Sequence, residues 1–235
     1  MGQFINLTIG NETTRAWLSL PSRPNGRGIV LGMSVWGQNA DLCSWADFMA
    51  DLGYAVIAPN LFWRNAPDHA VDYDFSRLED VGAIMNQQND EQGVEDLACA
   101  AAALKDLAGC DRLGLAGWCY GGRIACLSAL NDLFCAVVAF YPTILETRLD
   151  IVDHLKAPLS IHLPEIERFA TRDDAIERIV AAFADRADVE TFVYEGATHG
   201  FGFSPPHPNH HPAAARLSNT RAALFFDRHL NGGRR

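Results

Sequence analysis

Cys119 stands between Gly117 and Gly121, in the run Gly117-Trp118-Cys119-Tyr120-Gly121. An apolar strand-like segment, 112–116, precedes it, and a helix is expected to follow at 122–130. A side chain held on a sharp strand-to-helix turn is thrust outward, and glycines are needed where a Cβ would clash with the reversing chain. The partial positive charge at a helix N-terminus favours a thiolate, the form in which cysteine is a nucleophile. The chemistry this suggests is acyl transfer, which requires an imidazole to take the thiol proton and an acid to orient that imidazole.

Among eight histidines, His199 fits the base best. It follows the last expected strand in Tyr194-Glu-Gly-Ala-Thr-His199-Gly-Phe201, between closely spaced glycines. His162 falls inside a strand, and His154, His69 and His229 read as surface or helix-end residues. His207-Pro-Asn-His210-His211 could be taken for metal ligands, but the flanking prolines favour a solvated loop, and no metal is expected. The acid should lie between nucleophile and histidine in the chain, after the penultimate strand. Glu165 and Glu167 both meet that requirement, and spacing does not choose between them. Asp173 and Asp174 read instead as part of a helix cap that begins at Thr171. The remaining cysteines, 43, 99, 110, 126 and 135, form no CxxC pair and read as buried or free thiols.

Those residues need a frame. The 235-residue chain suits one domain, 1–235, and its 49% hydrophobic content suffices for a large core. Segments 4–9 and 14–20 read as an antiparallel hairpin. After it, strands at 28–33, 54–58, 112–116, 135–140, 159–163 and 190–194 alternate with helices at 41–52, 92–107, 122–130, 172–185 and 213–230, with Asp41 as the N-cap of the first helix. Residues 60–90 read as a long irregular connection. Alternation of this kind specifies an α/β fold, with a mostly parallel central sheet flanked by helices. Reactive groups in such sheets gather beyond the carboxyl ends of the strands.

With 19 basic and 29 acidic residues, the net charge of −10 argues against nucleic acid. No run of apolar residues is long enough for a membrane span, and no secretory signal is visible at the amino terminus, so a cytoplasmic setting is expected. The glycines at 117–122 are not followed by the lysine of a phosphate loop, and no cofactor is implied.

The chain resembles the dienelactone hydrolases of the α/β-hydrolase superfamily along nearly its whole length. Gly114-Leu-Ala-Gly-Trp-Cys119-Tyr-Gly-Gly122 is similar to that family's G-x-C-x-G-G block, and Pro59-Asn-Leu-Phe62 to its P-D-L-Y segment. Gly93-Val-Glu-Asp-Leu97 looks like the helix before the nucleophile strand, and Tyr194 to Phe201 matches the Y-x-x-A-x-H-x-F block. The resemblance implies cleavage of an ester or lactone through a cysteinyl ester, with a small-molecule substrate. It carries Cys119 and His199 over directly and places Glu167 where the family has aspartate. Ser34 stands where the family usually has a glutamate that holds the resting thiol, and the family's carboxylate-binding arginines are not matched, only Arg77 lying near one of the positions. A neutral substrate, and weak activity on dienelactone itself, are therefore expected. The oxyanion donors implied are the backbone N–H groups of Tyr120 and Val35. Ser34, Trp36, Phe62, Trp63, Tyr141, Phe201 and Phe203 lie on edge loops and are candidate pocket walls. The competing reading is a non-catalytic α/β-hydrolase scaffold that binds or regulates.

Overall fold

The computed structural model describes residues 2–71, 73, 75–205 and 207–231. Strands β1 (Gln3–Ile9) and β2 (Glu12–Ser19) form the expected hairpin, turning at Gly10 with φ 61°. The rest of the sheet comprises β3 (Arg27–Gly32), β4 (Ala55–Pro59), β5 (Arg112–Trp118), β6 (Ala136–Phe140), β7 (Leu159–Ile166) and β8 (Val189–Thr198). Every residue of β3, β4 and β6 is buried, the pattern of strands covered on both faces.

The eight strands run in the order β1-β2-β4-β3-β5-β6-β7-β8. β2 meets β4 antiparallel, and all pairings from β4 to β8 are parallel. β3 is flanked by β4 on one side and β5 on the other, so the order reverses there. A crevice opens at the carboxyl ends of strands where a sheet reverses its winding. The loop after β3 and the turn after β5 both end at that crevice.

Helices α1 (Ala40–Asp51) and α6 (Pro212–Asn231) pair through Trp45 Nε1, which donates to Asn219 at 3.2 Å. α3 (Asp90–Ala108) packs on β3, β4 and α4 (Tyr120–Ser128), and α5 (Ala175–Phe183) lies by β7 and β8. No described helix is long and apolar enough to cross a membrane.

Several boundaries differ from the sequence reading. The N-cap of α1 is Asn39, whose side chain accepts from Leu42 N at 3.2 Å. Asp41 sits in the first turn, and its carboxylate instead accepts from Tyr73 Oη and from Ser204 N, tying two loops together. The 60–90 connection contains a helix, α2 (Leu78–Asn86), of which only Val81 is fully buried. With so little of it in the core, α2 gives a weak hydrophobic pattern. Thr171 does not open a capping box, because its N–H and hydroxyl both donate to Glu146, at 2.7 and 2.9 Å, and α5 starts at Ala175. β7 and β8 run on to Ile166 and Thr198 through an irregularity between Pro164 and Ile166, which carries Glu165 into the sheet edge.

Candidate active site

Cys119 lies at the junction of β5 and α4 with φ 57° and ψ −116°, a strained conformation for a residue with a side chain. Its neighbours show why glycine is required. A Cβ at Gly117 would lie 2.1 Å from the Gly121 carbonyl oxygen, and one at Gly121 would lie 2.2 Å from the Gly32 carbonyl carbon. The elbow therefore rests directly against the end of β3. Gly121 N donates to Met33 O at 3.0 Å and Cys119 N to Phe140 O at 3.0 Å, which ties the turn to the strands on either side.

His199 follows β8. Its Nδ1 donates to Glu167 Oε2 at 2.7 Å, while Glu167 Oε1 accepts from Phe169 N at 2.9 Å. The rings of Tyr141 and Phe169 meet the imidazole edge-on at 5.0 and 4.8 Å, and Asn209 Nδ2 donates to the His199 carbonyl at 2.6 Å. Burial, the strongest influence on His199, opposes its charge. It is outweighed by the neighbouring Cys119 sulfur and then by Glu167, and together they raise the imidazole to about 10. Glu165 is placed elsewhere, accepting from Gly196 N at 2.8 Å.

Cys119 and His199 border one cavity of about 260 Å³. Val35, Trp36 and Phe203 border it too, as do Leu78 and Met85 of α2. Other sequence candidates lie away from it. Phe62 is fully buried and packs on Tyr120, with ring centroids 5.2 Å apart. Trp63 donates to Asp96 at 3.0 Å beneath the loop. Tyr141 and Phe201 are fully buried behind His199 rather than on the cavity wall. Ser34 accepts from Trp36 N at 3.3 Å and borders a second cavity of about 420 Å³ between α1 and α6.

The loop after β3 is held by a residue that the sequence reading placed at the surface. His69 is buried, and its Nε2 contacts Val35 O at 2.6 Å, so it donates to that carbonyl. Gln38 N donates to His69 O and Val71 N to Trp36 O, clamping the two loops. Within the described loops and turns, neither Val35 N nor Tyr120 N donates to a backbone carbonyl, although Cys119 N and Gly121 N on either side of Tyr120 do. His207 is likewise buried, not solvated. It borders the cavity with Nδ1 accepting from Asn209 N at 3.1 Å, and burial lowers it to about 4. Among the described residues, no cluster of histidine, cysteine and carboxylate is arranged to hold a metal ion.

Sequence reasoning also missed Arg123, which borders the cavity. The expectation of a site without a cation is corrected by it. Its signal was only positional, four residues after the nucleophile and so one helical turn along.

Residues 14–230 match the model of the dienelactone hydrolase family. A carboxymethylenebutenolidase from Pseudomonas putida is 28% identical over 217 residues, covering 92% of this chain and 91% of that one. Another from Pseudomonas sp. strain P51 is 27% identical over 218 residues, covering 91% and 89%. A solved Klebsiella pneumoniae structure superposes with TM-score 0.79 at 25% identity, covering 96% of this chain and 98% of that one. A dienelactone hydrolase from Anabaena variabilis superposes with TM-score 0.72 at 14% identity, covering 97% and 98%, a likeness of fold. With the α/β-hydrolase sheet in place and the match spanning nearly its whole length, the chain belongs to the dienelactone hydrolase family.

Proposed function

We propose that this protein cleaves a carboxylic ester or lactone of a small molecule through a cysteinyl acyl-enzyme, with Cys119, His199 and Glu167 as its triad. One observation carries the reading: a cysteine on a strained elbow and a histidine anchored to a carboxylate border the same cavity.

His199 takes the thiol proton of Cys119 and becomes imidazolium, and the thiolate attacks the carbonyl carbon, so that a C–S bond forms as the C=O π pair moves onto oxygen. The oxyanion is received by the N–H groups of Tyr120 and Val35, both positioned by the contact between elbow and β3. The C–O bond to the leaving oxygen then breaks, and that oxygen takes its proton from the His199 imidazolium. His199, now neutral, removes a proton from water as the water attacks the thioester. The C–S bond breaks, the acid is released and the sulfur is restored. Glu167 holds the Nδ1 proton throughout, so that Nε2 is the nitrogen that exchanges protons. His69, through the Val35 carbonyl, fixes the orientation of the loop that carries the second donor.

Mass spectrometry of protein incubated with a panel of esters and lactones should show a single acyl adduct on Cys119. Cys119→Ala should reduce hydrolysis of an activated aryl ester by about 10³-fold or more. Full activity in that variant would end the Cys119 reading, whereas a wild type that hydrolyses none of the panel and whose Cys119 is labelled slowly by iodoacetamide, as an ordinary thiol, would identify a non-catalytic scaffold.

A further inference from the structure

His207 borders the catalytic cavity and is only 5% exposed. Its Nδ1 accepts from Asn209 N at 3.1 Å, so that nitrogen carries no proton. The one ring proton of the neutral imidazole is therefore on Nε2, which is a donor. Among the described residues no acceptor takes that proton, yet the nitrogen is not sealed in the interior. Burial lowers the ring to about 4, so the donor is uncharged at neutral pH. The ring is also held in place. Tyr73, Phe203 and Phe75 pack on it, with centroids 4.7, 4.8 and 5.0 Å away. His207 N donates to Ser204 O and His210 N to His207 O, both at 3.0 Å. Asn209, which fixes Nδ1, also donates through Nδ2 to the His199 carbonyl, so one side chain and its backbone tie both histidines to the same loop.

A donor fixed in this way loses little freedom when a ligand binds. Much of the wall around it is apolar, with Trp36, Leu78, Met85 and Phe203 among its residues. A ligand without an acceptor buries the N–H unpaired, which is costly, whereas an acceptor recovers that cost. In the proposed mechanism the scissile oxygen is received by the N–H groups of Tyr120 and Val35, which leaves the His207 proton for a second oxygen. We infer that His207 is a specificity-determining residue, whose Nε2–H donates to an uncharged ether or ketone oxygen of the substrate away from the scissile carbonyl, while the apolar wall holds the rest of the molecule. This rests on the hydrolase reading and adds a recognition contact to that same cavity.

The test exchanges one methylene of the acyl chain for oxygen: p-nitrophenyl 4-methoxybutanoate against the hexanoate, and 5-methoxypentanoate against the heptanoate. An apolar wall alone favours the alkyl chain, because an ether oxygen buried without a donor is costly. Wild type should instead favour the ether in kcat/KM by about fivefold or more in at least one pair. A ratio at or below one in both pairs overturns the proposal. Glutamine places its amide nitrogen near the position of Nε2, and asparagine places its oxygen near that of Nδ1. His207→Gln should therefore keep most of the ratio and His207→Asn should lose it. The opposite order would show that the ring only supports the loop through Asn209, and it overturns the proposal. A ratio intact in both variants would assign the contact to another donor on the cavity, Arg123 or Thr143, and overturns it too. If a variant does not fold, or both lose the ratio, NMR of Cys119→Ala with the same esters decides. The His207 Nε2–H resonance should move downfield with the ether ester and not with its alkyl counterpart, and equal spectra overturn the proposal. If wild type cleaves none of the esters, the hydrolase reading fails separately, and the NMR comparison still decides the donor.

Discussion

Glu167 has one methylene more than the aspartate usual in the family, and the structure accommodates it without loss of contact. One of its oxygens meets His199 Nδ1 at 2.7 Å and the other is pinned by the Phe169 amide at 2.9 Å. Glu167→Gln keeps the volume but removes the charge and lets the amide favour the wrong imidazole tautomer. We expect kcat to fall by about 10²- to 10⁴-fold with little change in fold. Because a carboxylate that stabilises the imidazolium is gone, the pH at which His199 loses its proton should fall from about 10. An NMR titration of the ring in wild type and variant would check both sign and size, and an unchanged midpoint would separate Glu167 from His199.

Among the elements, the long connection after β4 determines one wall of the site. It was read from sequence as irregular because its polar and apolar residues follow no sustained period, yet its first part is fastened at two places. At its start, Arg64 makes a two-point ion pair with Asp96 of α3, at 2.7 and 3.0 Å, and Trp63 Nε1 donates to the same carboxylate. Asp96 is completely buried. Removing one partner from a buried, hydrogen-bonded charge group leaves the others uncompensated. Asp96→Ala should therefore destabilise the protein by about 3 kcal/mol in urea unfolding, and a loss under about 0.5 kcal/mol would show the anchor to be dispensable. Further along, His69 clamps the connection to Val35 O, so this segment also sets the backbone of the oxyanion loop. Neither anchor has a sequence signature, because each pairs residues from separate parts of the chain.

For the whole molecule, burial of neutral histidines predicts how it responds to acid. His162 is enclosed in the sheet, with Nδ1 at 2.7 Å from Tyr194 Oη and Nε2 at 3.2 Å from Ser160 Oγ, and burial lowers it to about 3. His207 is lowered by burial to about 4. In the unfolded chain both protonate near pH ~6.5. Between that pH and their folded values the unfolded state binds more protons, so their contribution is complete above pH ~6.5 and is lost as pH falls toward 4 and 3. Each should add a slope of about 1.4 kcal/mol per pH unit within its window. Urea midpoints measured from pH 7 to pH 4 should fall, and His162→Gln, less stable at neutral pH, should fall less steeply. Equal slopes would show that His162 protonates as readily folded as unfolded.

By itself the sequence determined the order of the strands and of every α-helix but α2, the strand-to-helix turn at Cys119 and the position of His199 just after the last strand. These depend on local patterns: fully apolar strands, glycines where a Cβ would meet backbone, and a histidine just beyond the last strand. It left Glu165 and Glu167 level, since both lie within a few residues of the end of β7, and only the pairing of β7 with β8 sends one to Gly196 N and the other to His199. The tertiary structure alone decided which aromatic residues line the cavity, that His69 and His207 are buried, and that Arg123 supplies a cation. Those properties follow from how separate segments meet in space, and an individual side chain's surroundings are not encoded in its own neighbourhood along the chain.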